Sequence, residues 1–282
     1  MRVFKRQIRV TIRDTVIITN PLVIYIEIKK EASSSPGEGA VNIYNLNETT
    51  ETLIRNRTES IQVEAGYDGR LNTILVGQIR RVERDREGLD RVTKITVGGH
   101  VENLTGAIFS RSYAGTVPTR TVVRDALNSI GLTTAPVDII PASATLTDFT
   151  WSARATDALD QILRPLGLYW YEDDGVVRVS RPGSPTVSDI VVLNSQTGLV
   201  GTPSITDEGV KATSFLNPAI VVGGTVQITA ESLTSAASGT AQSGRAAESQ
   251  GFYKVTQLVH KGDNWDGDFL TELVATPVTN ES

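Results

Sequence analysis

Residues 22–29 read LVIYIEIK, and in this stretch Leu or Ile occupies every second position. A period of two residues is typical of a strand that buries one face of a sheet. Residues 8–13 (IRVTIR) show the same alternation, and the loop SSSPG follows at residues 33–37. We therefore predict that the chain begins with antiparallel β structure.

Further short strands are predicted beyond that loop, with polar turns around Gly69 and Gly88, at residues 40–44, 60–65, 73–80 and 92–97. Regular short strands of this kind predict an antiparallel barrel or sandwich. We assign residues 1–103 to a first β-barrel module. A short helix is expected near residues 48–55, because Thr49 and Thr50 are plausible caps.

Residues 104–185, the middle segment, change to helical spacing. Apolar side chains recur every three to four residues in residues 123–130 and 155–166, and Gly131 and Gly167 can end the two helices. A hairpin signal follows, because two short strands flank Asp173-Asp174-Gly175. The middle segment is therefore predicted to be a small α+β domain.

The last segment, residues 186–282, returns to strands after the linker RPGSP. We predict a second β-barrel module here, with strands at residues 190–193, 211–215, 226–230, 253–260 and 269–275. Residues 231–250 are rich in Ser, Ala, Gly and Thr without periodicity, which predicts a mobile loop. The predicted fold is mainly β, with two antiparallel barrels and an intervening α+β domain.

Composition excludes several functional classes. The chain has 282 residues, no cysteine and a net charge of −5, so disulfides, thiolate metal sites and a cysteine nucleophile are excluded. Residues 1–103 carry 16 Lys and Arg against 14 Asp and Glu, and residues 104–282 carry 11 against 18. This balance argues against a nucleic-acid binder, which needs clustered cations.

The few residues that could carry chemistry do not form a recognisable site. His100 and His260 lie outside any known catalytic motif. Three acids, Asp263, Asp266 and Asp268, could bind calcium, but their spacing departs from the EF-hand pattern and favours a solvated turn. Consecutive acids at residues 172–174 are likewise expected to be a solvated hairpin tip. We predict no enzyme activity, no cofactor and no metal.

Five arginines, Arg80, Arg81, Arg84, Arg86 and Arg91, form the one basic cluster, and acidic residues are interleaved with them. Mixed signs at this density indicate a salt-bridged surface or a protein interface rather than a nucleic-acid groove. We predict that the cluster faces protein. Strand alternation would place Arg80 and Arg84 on one face and Arg81 on the other.

No membrane segment or export signal is predicted. Residues 16–28 are the most apolar run, but Asn20-Pro21 and Glu27 interrupt it well short of the roughly 20 residues that a spanning helix needs. The N-terminal residues carry positive charge, but no uninterrupted apolar core follows them. A soluble protein made in the cytosol is the expectation.

Two ordered blocks of sequence resemble the baseplate hub proteins of contractile-tailed bacteriophages. The first runs through AVNIYNL (40–46), IQVEAGY (61–67) and ILVGQI (74–79). The second runs through GVKATSFLNP (209–218) and YKV (253–255) to HKGD (260–263). The resemblance covers about the first hundred and the last seventy-five residues.

The resemblance implies a structural virion protein of the tail baseplate, assembled in the host cytoplasm. It implies a homotrimer with two barrels per chain, which would join the six-fold tail tube to a three-fold spike and leave a channel for DNA. Expected partners are the tail tube, spike and other baseplate proteins, with DNA only as passing cargo. A LysM-like or secretin-type envelope-binding module, or a peptidoglycan hydrolase fused to a hub, are the alternatives.

Two finer expectations accompany this assignment. The channel surface should be neutral to negative, because a cationic lumen would hold phosphates. Gly223 should have a positive φ in a turn of the second module, where a branched side chain would be strained.

Overall fold

The structure, a computed structural model, describes residues 5–13, 15–55, 60–185, 189–206, 209–229, 234–235 and 250–279. These residues form a mainly β protein with few helices, as the sequence predicts. The predicted mobile loop at residues 231–250 lies outside the described residues, except for 234–235 and 250.

The strands are numbered in chain order: β1 Arg6–Ile12, β2 Val16–Ile18, β3 Ile24–Glu31, β4 Glu38–Tyr44, β5 Ser60–Tyr67, β6 Arg70–Glu87, β7 Asp90–Gly98, β8 Ile108–Ser112, β9 Thr116–Pro118, β10 Thr133–Thr134, β11 Thr145–Thr147, β12 Thr150–Arg154, β13 Tyr169–Asp173, β14 Val176–Ser180, β15 Ile190–Leu193, β16 Leu199–Thr206, β17 Gly209–Phe215, β18 Thr225–Thr229, β19 Thr234–Ser235, β20 Gln250–Asp263 and β21 Phe269–Pro277. The helices are α1 Glu48–Ile54, α2 Val101–Gly106, α3 Thr119–Ile130 and α4 Ala155–Leu163, and a 3-10 turn, Arg164–Leu166, follows α4.

One sheet of 14 strands runs through both ends of the chain, in the order β19-β16-β17-β21-β20-β3-β4-β7-β6-β5-β1-β2, with β18 and β15 attached beside β20. Strands β20 and β3 connect the two halves in antiparallel register, from Gln257 opposite Glu31 to Asp263 opposite Tyr25. Two separate closed barrels, which we predicted, are not seen among the described strands. The reason is the length of β20, which pairs with β21 on one edge and with both β3 and β18 on the other.

The first core lies inside the curl of β1 and β3–β7. Burial alternates along β3, where Ile24, Ile26 and Ile28 are buried, as the period-two pattern predicts. The curl brings β1 and β5 near β21, because Arg6 Nη1 donates to the Gly267 carbonyl oxygen at 2.6 Å and the rings of Tyr67 and Phe269 meet edge to face at 5.2 Å.

The middle segment has its own core, built on α3 and α4. Both predicted helices are confirmed, and Gly131 (φ 75°) and Gly167 (φ 67°) end α3 and the 3-10 turn in the left-handed conformation. Helix α1 is also confirmed, but its N-cap is Asn47, whose side chain accepts a hydrogen bond from Thr50 N, rather than Thr49 or Thr50.

A third core lies under β15–β18, β20 and β21. Tyr171 of β13 is fully buried in it, so the middle segment contributes a side chain to the core of the last segment. The cores follow the three predicted segments in broad terms, and the predicted division into domains at residues 103 and 185 stays a prediction. Within the described ranges, no helix is long and apolar enough to span a membrane.

Candidate assembly surface

One end of the sheet, which we call the turn end, holds four connections: β2–β3, β4–α1, β6–β7 and β20–β21. Strand β20 finishes at Asp263 opposite Tyr25 near the start of β3, and β4 finishes at Tyr44 opposite Val92 near the start of β7. The β6–β7 hairpin turns at the same level, and Tyr44 Oη donates to Glu87 Oε2 at 3.0 Å. The arginine cluster therefore lies on a long hairpin arm that ends beside the β20–β21 turn.

A bulge changes the predicted alternation of the arginines. Ile79 pairs with Val97 and Arg81 pairs with the preceding residue of β7, Thr96, so Arg80 is the extra residue. A bulge of this kind reverses the face on which the following side chains point. The Arg80 guanidinium turns to the Gly99 carbonyl oxygen at 2.7 Å and to Glu102 at 3.4 Å.

Helix α1 is fixed to the arm by paired charges. Arg84 donates from Nε to both carboxylate oxygens of Glu51, at 2.7 and 3.0 Å, and Arg91 contacts Glu48 at 2.9 Å. The hydrogen bond from Arg84 holds the pKa of the buried Glu51 carboxyl below its usual range. Two of the predicted interface arginines thus orient a helix of their own chain.

The remaining two arginines are more exposed. Arg81 pairs with Glu83 at 2.6 Å, and the Arg86 side chain has no partner among the described residues. The structure therefore shows a salt-bridged surface at this cluster. Its role as a protein interface stays a prediction.

The side of the sheet turned away from the first and third cores, which we call the outer face, carries both signs of charge. Cross-strand register aligns its charged residues on β3, β4, β6, β7, β17, β20 and β21: Lys29, Arg81, Lys94, Lys211 and Lys261, with Glu27, Glu31, Glu38, Glu83, Asp85 and Glu272.

Most cations of the outer face have a carboxylate partner. Lys29 contacts Glu27 at 2.9 Å and Lys261 contacts Glu272 at 2.7 Å, and both contacts raise the pKa of the lysine. Shallow hollows of about 320 Å³ and 370 Å³ lie along this face, on either side of Gln257. The outer face therefore carries interleaved charges of both signs, and its carboxylates slightly outnumber its cations.

Glu172 is buried and Asp173 and Asp174 are largely buried, which contradicts the predicted solvated tip. Lys30 Nζ lies 2.8 Å from Asp173 Oδ1 and 2.6 Å from Asp174 Oδ2, with only 7% of its side chain exposed. Asp174 Oδ1 also accepts the backbone N–H of Val76 at 2.7 Å. The hairpin tip is thus inserted against the first β segment, a long-range contact that local turn chemistry does not reveal.

Burial and neighbouring charges act together on this cluster. Desolvation raises the pKa of Asp173, whereas the two adjacent carboxylates outweigh desolvation at Lys30 and raise its pKa. Glu172 Oε1 accepts the N–H of Gly175 at 2.6 Å and lies 3.2 Å from His100 Nδ1. The cluster is a structural ion network.

A second buried lysine joins the middle segment to the last one. Lys254 is fully buried, and its Nζ donates to Ser180 Oγ at 2.6 Å, to the Arg181 carbonyl oxygen at 2.9 Å and to Tyr169 Oη at 3.0 Å. Sequence analysis did not single out Lys254, because its spacing within a strand gives no signal of burial.

The other candidate chemical residues are structural. His260 is buried, its Nδ1 lies 2.8 Å from Thr271 Oγ1, and desolvation lowers its pKa to about 3. Asp263 Oδ1 accepts the N–H groups of Trp265 and Asp266, as expected for a turn. Among the described residues, no group of three or more His, Cys, Asp or Glu could hold a metal ion.

A family model described as "Baseplate hub gp41" matches residues 6–237. The chain belongs to this family. This finding confirms the resemblance drawn from the two sequence blocks, and it favours the hub over the LysM-like and secretin-type alternatives. The family is a structural one of the phage tail baseplate.

Solved structures of tail proteins share the fold of this baseplate hub protein. The tail protein from Neisseria meningitidis MC58 has a TM-score of 0.60 at 11% identity, over 96% of each chain. The 43 kDa tail protein of prophage MuSo2 from Shewanella oneidensis has a TM-score of 0.60 at 8% identity, over 96% of this chain and 97% of that chain. The c3393 protein of E. coli, a component of the type VI secretion system, has a TM-score of 0.58 at 12% identity, over 96% of this chain and 77% of its own length. Among curated protein sequences, no match was found.

Proposed function

We propose that this protein is the homotrimeric hub that joins the tail tube to the central spike. The observation that carries the proposal is the single sheet that runs through both β segments and holds the first and third cores side by side. Three chains of this kind would offer six β segments to a six-fold tube and three identical surfaces to a spike. Closed rings of this kind need repeated complementary surfaces, which open sheet edges and mixed charge supply.

We propose the spike and tail tube proteins as partners, and the match to a baseplate hub family supports partners within the baseplate. The related E. coli protein is described as structurally similar to the T4 bacteriophage tail proteins gp27 and gp5. Other baseplate proteins are further partners in this proposal, and assembly takes place in the host cytoplasm.

In the proposed ring, the outer face of the sheet lines a channel for DNA ejection. Lysines that are already paired with carboxylates, such as Lys29 and Lys261, have little capacity to hold phosphates. Arg81, whose partner is Glu83, also lies on this face, so in the proposed ring this one member of the arginine cluster faces the channel and not protein. The proposed lumen is therefore neutral to negative, and salt-dependent DNA binding by the isolated ring would contradict it.

The proposed role is assembly without catalysis. The two histidines support this view, since His260 is buried against Thr271 and His100 lies against Glu172. A turbidity assay on cell walls tests it, and we expect no clearing by the purified protein.

The mass of the purified protein, measured with and without the spike protein, tests the proposed stoichiometry. We expect a complex that contains three chains of this protein when the spike is present. The isolated chain is a monomer or a trimer in this account, because assembly can require the spike. A complex with one or six chains would overturn the proposal.

A further inference from the structure

Lys30 in β3 is a buried lysine that contacts two carboxylates of the middle segment at once. Its Nζ lies 2.8 Å from Asp173 Oδ1 and 2.6 Å from Asp174 Oδ2, and only 7% of the Lys30 side chain is exposed. Asp173 is almost as well covered, with 11% of its side chain exposed. An amine, a carboxyl group and a second carboxylate held in contact away from solvent are the groups that an amide condensation needs.

The contact between Lys30 and Asp173 is not a hydrogen bond of good geometry. Asp173 Oδ1 is buried and receives no such bond from the part of the chain that the structure describes, although Lys30 Nζ is close enough to donate one. Lys30 donates instead to Asp174 Oδ2, while Asp174 Oδ1 accepts the Val76 N–H. The amine is therefore held against the Asp173 carboxyl group, and Asp174 is fixed where it can exchange protons with the amine.

Two other lysines each have only one of these properties. Lys94 also contacts two carboxylates, Asp85 at 2.7 Å and Glu87 at 3.3 Å, but 35% of its side chain is exposed. Lys254 is fully buried, but its Nζ donates to hydroxyl and carbonyl oxygens. Burial and carboxylate contact coincide at Lys30, so Lys94 and Lys254 are internal controls.

We propose that Lys30 and Asp173 form an intramolecular amide bond, with Asp174 as the proton relay. This covalent modification goes beyond the proposed function and does not depend on it. The Lys30 Nζ lone pair, freed when Asp174 takes a proton, attacks Asp173 Cγ. A Cγ–O bond breaks, and Asp174 carries two protons in turn from the nitrogen to the departing oxygen, which leaves as water. One ammonium and one carboxylate thus become one amide and one water, with no net gain or loss of protons.

Burial favours the amide over the ion pair. A buried ammonium and a buried carboxylate keep a desolvation penalty that a neutral amide does not have. Contact between the two groups also replaces a bimolecular encounter. Although desolvation opposes it, the two carboxylates raise the pKa of Lys30 and hold it as the ammonium, so the bond forms slowly and newly made protein keeps the ion pair. Measurements on the ion pair therefore use chain whose mass still includes this water.

The intact mass of the purified full chain, measured after denaturation, tests the proposal. We expect the mass to fall by that of one water as the folded protein is incubated. Trypsin should then release one branched peptide that contains both Lys30 and Asp173, whereas peptides with Lys94 or Lys254 stay linear. Lys30→Arg is the matched control, because its guanidinium keeps a cation between the carboxylates but is not deprotonated in proteins. A melting curve will show that this variant is folded.

Asp174→Asn tests the proton relay. Asparagine keeps the size of the side chain but cannot take a proton from the amine. General acid–base catalysis contributes about 100-fold or more to a rate, so we expect the loss of water to slow by at least that factor. An unchanged rate would overturn the role of Asp174.

Two results would overturn the amide bond itself. One is a folded wild-type chain that keeps the full mass of its sequence after prolonged incubation. The other is a loss of water without a branched peptide, which would assign the change to a cyclic imide at an Asp-Gly step such as Asp174-Gly175. In that case Lys30→Arg would lose the same water. Neither result changes the number of chains bound to the spike, so failure of this proposal and failure of the proposed function are distinguishable.

Discussion

The middle segment is joined to the sheet through two buried lysines, and the two lysines are held by different kinds of partner. Lys30 lies between the carboxylates of Asp173 and Asp174, at 2.8 and 2.6 Å. Lys254 donates to three uncharged oxygens, of which the nearest is Ser180 Oγ at 2.6 Å. Both ammonium groups are satisfied, but only the first junction depends on opposite charge.

The difference predicts how each junction responds when its lysine is removed. A buried carboxylate that loses its cation keeps an uncompensated charge, whereas a hydroxyl or carbonyl that loses its donor keeps only an unmade hydrogen bond. The junction with the first segment should therefore be the more sensitive of the two to substitution and to pH.

The largest effect is expected for Lys30→Met. This change leaves Asp173 and Asp174 without their cation, and breaking a buried pair in this way costs about 3–5 kcal/mol. Urea unfolding measures the loss. Lys29→Met is the matched control, because the neighbouring Lys29 is exposed and makes only a surface pair with Glu27. Equal free energies of unfolding for the two variants would show that the ion pairs of Lys30 do not stabilise the fold.

A smaller loss is expected for Lys254→Met. The methionine keeps most of the volume but leaves the Arg181 carbonyl oxygen and the Tyr169 hydroxyl without this donor, at about 1–3 kcal/mol. The same urea series measures it. A loss larger than that of Lys30→Met would reverse the comparison.

Gly223→Val should have a smaller effect still, beside the Lys254 junction. Gly223 has a φ of 77°, as the sequence predicted, and its N–H donates to the Val255 carbonyl oxygen at 2.8 Å. A branched residue in this conformation costs about 1 kcal/mol or more. The melting temperature should fall, and an unchanged value would mean that the turn relaxes without strain.

The smallest effect is a pH dependence at the Lys30 junction. Burial raises the pKa of Asp173 above its unfolded value, so the folded state binds this proton more tightly. Stability from this group therefore rises as pH falls from neutrality towards the unfolded pKa, and it is lost as pH rises through the folded pKa.

Asp173→Asn removes this titration and leaves Lys30 paired with Asp174 at 2.6 Å. We expect the free energy of unfolding of the wild type to increase relative to that of the variant when the pH is lowered from 7 to 5. If the free energy of unfolding of the wild type instead decreases relative to that of the variant, Asp173 is stabilised as a carboxylate.

Local patterns were sufficient for the elements but not for their long-range contacts. Alternation predicted β3, and apolar spacing with a following glycine predicted α3 and α4, because these signals are properties of neighbouring residues. Asp173-Asp174-Gly175 correctly indicated a hairpin. Its burial depends on Lys30, more than 140 positions away, and no local rule contains that contact.

The assembly surface was predictable to a similar extent. The arginine cluster was visible as a charge pattern, but the bulge at Arg80 and the pairing of Arg84 with Glu51 require the register of β6 against β7 and the position of α1. The sequence analysis did not single out Trp265, because a lone aromatic residue in a turn forms no pattern. Only the structure shows that Trp265 is exposed in a turn whose backbone is held by Asp263.

The arrangement of this protein in the assembled tail is the most direct test of the central claim. A reconstruction of the tube–spike junction by electron cryo-microscopy should show three copies around the axis, with the outer face that carries Lys29 and Lys261 turned towards the channel. Six copies or one copy at this level, or an outer face buried against protein, would contradict the account.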